Sequence, residues 1–136
     1  MDGFLTAQIC VNGHMITSSL ETSPELSARF CDRCGAETIS ECPQCRASIR
    51  GYFHVDGVVS LNETRVRAFC HECGNPYPWT EAKLSAAREM ADELDELSEE
   101  EKEQLKGTLD DLVRDTPRTE VAATRFKKLM AKVGKE

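Results

Sequence analysis

Lysine is missing from residues 1–80, and nowhere does the chain approach the run of about 20 apolar residues that a membrane-spanning helix needs. The opening "MDGFLTAQIC" has neither the basic head nor the apolar stretch of a secretory signal, so a soluble, cytoplasmic protein with reduced thiols is expected. Aromatic residues make up only 6% of the 136, with a single tryptophan, which leaves little material for a large core. A basic surplus is absent too. The formal net charge is −7, and seven thiolates with two Zn²⁺ would make it about −10, which opposes non-specific attraction to nucleic-acid phosphates. Finally, the cysteine count is odd. Seven cysteines cannot form a pure disulfide framework without leaving one thiol over.

What is present divides in two. Residues 1–80 hold all seven cysteines and four of the five prolines, whereas residues 81–136 hold all seven lysines and one aromatic, Phe126. The expectation is a two-part chain, with a β-rich knuckle module over residues 1–79 and an amphipathic helical tail over residues 80–136. The first part has too little apolar content to be stabilised by burial alone and needs cross-links.

The cysteines supply them. They fall as Cys31-x₂-Cys34, Cys42-x₂-Cys45, Cys70-x₂-Cys73 and the single Cys10. A C-x-x-C turn presents two sulfurs on one side of a tight loop, where they can fill two corners of a metal tetrahedron. Three pairs make six ligands, and two zinc sites need eight. His14, in "CVNGH" beside Gly13, pairs with Cys10 and completes the set with no cysteine unused. The candidate ligands are therefore Cys10, His14, Cys31, Cys34, Cys42, Cys45, Cys70 and Cys73. Used as thiolates, they close both coordination shells, so the two Zn²⁺ read as structural. Four thiolates around one site would also accept iron.

Two pairings stay open at this point. Cys31, Cys34, Cys42 and Cys45 could close one site alone, leaving Cys10, His14, Cys70 and Cys73 for the other. Alternatively the pairs interleave in a cross-brace, as in RING fingers, with Cys10 and His14 joining Cys42 and Cys45, and Cys31 and Cys34 joining Cys70 and Cys73. Glycine follows the second cysteine in "CDRCGAE" and "CHECGNP" but arginine does in "CPQCR", which favours the interleaved arrangement. His54, among strand-type residues, and His71, inside a knuckle, read as packed or exposed histidines rather than ligands. A redox C-x-x-C predicts one reactive pair and not three similar knuckles.

Between the knuckles, "HMITSS", "ASIRGYFHVDGVVSL" and "TRVRAF" read as strands, with Asp-Gly as a hairpin turn. Arg46, Arg50, Arg65 and Arg67, with Tyr52 and Phe53, could form a surface for phosphates or an acidic partner. Pro76 and Pro78 in "NPYPWTE" suggest an irregular exit, with Trp79 packed where the two parts meet. Thr80 then caps a first helix from Glu81, and Ser98 caps a second with Glu101 in the capping-box position. Thr116 caps a third that starts at Pro117 and ends at Gly134. Residues 81–111 hold 4 basic and 12 acidic side chains, and residues 114–136 hold 7 basic and 3 acidic. Such faces are expected to attract each other.

With "ICVNGHMITSS", "FCDRCGAETISECPQCRASIRGYF", "FCHECGNPYPWTEAKL" and "DTPRTEVAATRFKKLMAK" in view, the chain resembles a family of short, uncharacterised bacterial zinc-knuckle proteins. The resemblance implies zinc binding by the eight residues named and brings no activity with it. The fold expected is a small metal-bound α+β protein, a β-rich double-zinc module of zinc-ribbon or cross-brace type followed by a short α-helical tail. No convincing catalytic constellation is present. The reading is a non-enzymatic adaptor with an unknown protein partner; the amphipathic helices of the tail are expected to pack on their own chain, with a homodimer through the tail as the alternative. A nucleic-acid-binding ribbon and a RING-like ligase module are the alternatives.

Overall fold

The computed structural model describes residues 3–59 and 63–134. The chain forms two compact units, Met1–Glu81 and Ala82–Glu136. The first is β-rich, the second helical, which makes the protein a small α+β structure.

In the first unit the strands are β1 (Gly3–Thr6), β2 (Gln8–Cys10), β3 (Met15–Thr17), β4 (Thr38–Ile39) and β5 (Arg50–His54), with a 3₁₀ turn at Pro24–Leu26. β1 and β5 pair antiparallel, while β3, β2 and β4 form a second antiparallel sheet in that order. The strands are short because a knuckle interrupts the chain after each brief extended run. Further pairing is reduced to isolated bridges, Phe30 with Glu37, Glu41 with Ser48, Val55 with Val58 and Phe69 with Pro76. The Val55–Val58 bridge closes over Asp56 and Gly57, whose φ of 80° suits the hairpin turn expected there. Ser60 and Leu61, at the end of that strand-like run, lie outside the described residues.

The segment "TRVRAF" is not a strand. Its backbone acceptors are taken by the exit segment instead, since Trp79 Nε1 donates to the Arg67 carbonyl at 2.8 Å, and Thr80 Oγ1 and Tyr77 N donate to the Ala68 carbonyl at 2.7 and 3.0 Å. The alternation in this stretch thus reflects packing against Tyr77 and Trp79. These two rings stack at 4.7 Å and join Ala7, Ile9, Cys42, Ile49 and Cys70 in the buried core of the unit.

One irregularity shapes the β1–β5 pair. Phe4 lies opposite Phe53 but Thr6 lies opposite Arg50, so Gly51 and Tyr52 together face the single residue Leu5 in a β-bulge. The bulge forms where Tyr52 N donates to the Ser18 carbonyl at 2.8 Å. At Gly51 a Cβ would stand 2.2 Å from that same carbonyl oxygen, so only glycine fits.

The helical unit follows from amphipathic spacing and caps. α1 spans Pro78–Asp92, α2 spans Glu99–Leu112 and α3 spans Thr119–Met130. α1 begins at Pro78, not Glu81. Proline lacks only an N–H that the first turn would leave unused, so it opens the helix instead of blocking it. Thr80 consequently lies inside the first turn. Ser98 and Glu101 form the reciprocal capping box, at 3.1 and 3.0 Å. α3 starts two residues beyond Pro117, because Thr116 Oγ1 accepts from Arg118 N in a preceding turn. Ala91, Leu97, Leu105 and Leu129 form the core, with Leu94, Phe126, Met130 and Val133 against it. Arg88 pairs with Asp110 and Lys106 with Asp92, each at 2.6 Å, and Lys132 pairs with Glu101. Exposed pairs of this kind contribute at most about 1 kcal/mol each. Among the described residues no helix is long and apolar enough to cross a membrane.

Gly51→Ala should lower stability by about 1–3 kcal/mol through overpacking against Ser18. Thermal unfolding followed by circular dichroism measures it, and an unchanged melting temperature would show that the bulge is free to relax.

Candidate metal centres

The three C-x-x-C knuckles share one backbone design. Each first cysteine accepts at its carbonyl from the residue after the second cysteine, as Gly35 N to Cys31 O, Arg46 N to Cys42 O and Gly74 N to Cys70 O, at 2.8, 2.9 and 3.0 Å. Each first cysteine also donates its own N–H five residues on, to Ala36, Ala47 and Asn75, at 2.8, 2.8 and 2.9 Å. This turn requires a positive φ after the second cysteine, and the values are 75° at Gly35, 68° at Arg46 and 75° at Gly74. Arginine therefore takes up the conformation that glycine adopts freely. The fourth turn is different. Cys10 N donates to the His14 carbonyl at 3.0 Å and His14 N to Cys10 Sγ at 3.3 Å, and Gly13, at φ 95°, lies so near Trp79 that a side-chain Cβ there would stand 3.1 Å from the Trp79 side chain.

These turns bring the donors into two quartets. Cys10, His14, Cys31 and Cys34 form one, Cys42, Cys45, Cys70 and Cys73 the other, and in each the ligand atoms all lie within 4.8 Å of one another. In the first, Cys10 Sγ is 3.7 Å from Cys34 Sγ, and His14 Nδ1 is 3.4 Å from Cys10 Sγ and 3.5 Å from Cys31 Sγ. In the second, Cys42 Sγ stands 3.7 Å from Cys73 Sγ and Cys45 Sγ stands 3.6 Å from Cys70 Sγ. All seven cysteines are free thiols. His54 Nε2 pairs with Asp56 Oδ1 at 2.9 Å, and neither it nor His71 belongs to a quartet.

The grouping corrects both pairings expected from the sequence. The quartets are successive, first pair with second and third with fourth, so the interleaved set of Cys10, His14, Cys42 and Cys45 with Cys31, Cys34, Cys70 and Cys73 does not occur, nor does closure of Cys31 to Cys45 alone. The cross-brace, and with it the RING-like reading, falls. Strand pairing is the cause. β2 pairs with β4 so that Cys10 faces Thr38, and Val11 N reaches the Glu37 carbonyl at 3.1 Å. Glu37 in turn bridges Phe30, so the Cys31 hairpin is held beside the Cys10 turn. Cys42 and Cys70 meet separately, in the core with Ile49 and Tyr77. The contrast between "CPQCR" and the two glycine knuckles carries no pairing information, since all three adopt the same turn.

Electrostatics reflect the crowding. The Asn12 amide, 3.3 Å from Cys34 Sγ, and the Ala36 N–H hold the Cys34 thiol down at about 6, while burial pushes Cys10 up. At Cys70 burial pushes up, but the Cys73 and Glu72 N–H groups and Cys45 outweigh it and bring the thiol to about 6. At Cys45 the Ala47 N–H pulls down, yet lost solvation and the sulfurs of Cys70, Cys73 and Cys42 push it up to about 12. Protons are thus shared unequally among neighbouring sulfurs, as like charges at this spacing demand. A bound cation would let all of them ionise.

Two asparagines escaped the sequence reading. Asn12 donates to Cys34, and Asn75 Nδ2 lies 3.5 Å from Cys73 Sγ, so one exposed cysteine of each quartet has an amide beside its sulfur. The only sequence signal was asparagine next to a knuckle glycine, in "VNGH" and "CGNP". The buried Tyr77 hydroxyl, without a hydrogen-bond partner among the described residues, is held protonated by burial and by charge at Cys70.

Arg46→Gly should raise stability by about 1 kcal/mol, because glycine relieves the left-handed strain at the price of greater freedom when unfolded. A melting temperature unchanged or lowered would mean that the Arg46 side chain contributes more than its backbone conformation takes away.

No curated protein and no solved structure matches the chain significantly. The model of a family described as "Uncharacterized protein conserved in bacteria (DUF2321)" matches residues 3–136, and with its two knuckle quartets in place the chain belongs to that family.

Proposed function

We propose that each quartet holds one Zn²⁺ and that the protein is a non-enzymatic adaptor whose interaction surface is shaped by these two structural ions. The observation that carries the reading is donor spacing. A tetrahedron with zinc–sulfur bonds of ~2.3 Å and zinc–nitrogen bonds of ~2.0–2.1 Å has sulfur–sulfur edges of ~3.8 Å and sulfur–nitrogen edges of ~3.6 Å. The closest sulfur pairs stand 3.6–3.7 Å apart, and His14 Nδ1 lies 3.4–3.5 Å from its two nearest sulfurs. Cys10, His14, Cys31 and Cys34 would hold one ion, and Cys42, Cys45, Cys70 and Cys73 the other.

Four protein donors per ion leave no position for water or substrate, which favours a structural role over a catalytic one. What the ions supply is cross-linking, in a unit whose hydrogen-bonded strands run only two to five residues. The N–H groups of Arg33 and Glu72, each 3.4 Å from a first-cysteine sulfur, and the Asn12 and Asn75 amides would stabilise the thiolate ligands. The acidic balance of the chain supports a protein partner over a nucleic acid.

Protein purified without added metal should carry two zinc ions per chain by elemental mass spectrometry. His14→Ala and Cys34→Ser should each reduce this to one, as should the two combined, whereas Cys34→Ser with Cys73→Ser should remove both. A single ion untouched by His14→Ala would overturn the first site, and iron in place of zinc would overturn the choice of metal.

Removing the metal with a strong chelator should unfold the first unit, seen as collapse of amide dispersion in NMR for residues 3–81. Retained dispersion would show that the ions are dispensable to the fold.

A further inference from the structure

We propose that the face formed by Phe4, Arg50 and Phe53 of the β1–β5 pair, together with the Arg67 side chain that reaches over it, is the docking surface for an acidic peptide segment of a partner protein, one presenting a carboxylate next to an apolar side chain. The proposal rests on the adaptor reading and deepens it by stating the chemistry of the partner.

Phe4 and Phe53 are cross-strand neighbours with ring centroids 4.8 Å apart, edge to face, yet they remain 41% and 49% exposed. Above the Phe4 ring lie two guanidinium groups, Arg50 Cζ at 4.5 Å and Arg67 Cζ at 5.3 Å from its centroid. In a regular strand residues 50 and 53 would face opposite sides, because side chains alternate. The bulge at Gly51 and Tyr52 inserts the extra residue that turns Arg50 to the side of Phe53. A backbone irregularity, kept in place by a glycine that nothing else can replace at the Ser18 carbonyl, is therefore what assembles the cluster.

Charge indicates what the cluster lacks. Among the described residues neither Arg50 nor Arg67 has a carboxylate within ion-pair distance, while the lysine and arginine ion pairs that do form all lie in the helical unit. Two like charges over one ring repel each other and keep their N–H groups for an outside acceptor. A carboxylate accepts from guanidinium with good geometry, and an apolar side chain beside it would cover the exposed rings. Aromatic residues and arginine are also the side chains that concentrate binding energy at protein interfaces. A long polyanion fits less well, since a chain of net charge −7 offers it few other contacts.

The test selects binders from a random 12-residue peptide library displayed on phage, using the zinc-loaded full chain as bait. Affinity of a synthetic peptide from the enriched pool is then measured by fluorescence polarisation. Enrichment of aspartate or glutamate beside phenylalanine, leucine or tryptophan is expected, with binding that weakens as salt rises. Arg67→Ala, an exposed change that spares the fold, and Phe53→Ala should each weaken the peptide about tenfold or more. Arg29→Ala should have no effect, although Arg29 also lies over a phenylalanine ring, Phe30, at 5.8 Å. No enrichment, enrichment of another composition, or affinity indifferent to Arg67→Ala and Phe53→Ala would overturn the proposal. So would binding of a twelve-nucleotide oligothymidylate that those variants abolish, which would assign the face to single-stranded nucleic acid. Zinc content of the same bait separates the two readings. Two ions with no acidic enrichment would overturn the docking face alone, and a folded bait without zinc would overturn the metal assignment whatever the peptides show.

Discussion

Everything in the first unit is arranged around the crowding of four donor atoms within 4.8 Å, twice over. Sulfurs at 3.6–3.7 Å cannot all carry charge without compensation, and the unequal thiol acidities, about 6 at Cys34 and Cys70 against about 12 at Cys45, combine local N–H donors and burial with that conflict between neighbouring sulfurs. The chain meets it with backbone N–H groups pointed at the sulfurs of Cys10, Cys31 and Cys70, and with asparagine amides at Cys34 and Cys73. A divalent cation at each centre would resolve the rest. Strands as short as β4, two residues long, then become intelligible as connections between cross-links rather than as a self-sufficient sheet.

The small core serves the same end. Tyr77 and Trp79 stack in it, and Trp79 packs on Gly13 at one side while its ring nitrogen fastens the Arg67 carbonyl. The histidine-bearing turn and the segment leading into the last knuckle thus share one indole. The helical unit is stabilised by other means, through a leucine-rich stripe, a capping box at Ser98 and ion pairs between helices. Its charged side chains largely answer one another. Among the described residues Arg50 and Arg67, over the Phe4 ring, have no carboxylate within ion-pair distance, and the proposed docking face rests on this difference.

Much was legible in the residues alone. Cysteine spacing picked out the six knuckle sulfurs that gather in the two quartets, because a C-x-x-C turn places two sulfurs together whatever the rest of the chain does, and Cys10 with His14 followed from completing two sets of four. Ser98 with Glu101 marked the start of α2, since a capping box is satisfied within four residues. Local rules went astray where a remote group took over. "TRVRAF" alternates like a strand, but its carbonyls answer to Trp79, Thr80 and Tyr77. Pro78 reads as a breaker and instead opens α1.

The sequence by itself determined which eight side chains would gather and the turns that present them, because those properties are settled over five or six residues of backbone. Which turns would meet was decided only by tertiary structure. The register that sets Cys10 against Thr38, and the burial that joins Cys42 to Cys70, depend on contacts across 28 residues of sequence in each case, to which no single turn is sensitive. The same holds for the aromatic and arginine cluster. Phe4 and Arg67 are far apart in the chain, and a bulge fitted to the Ser18 carbonyl turns Arg50 to meet them.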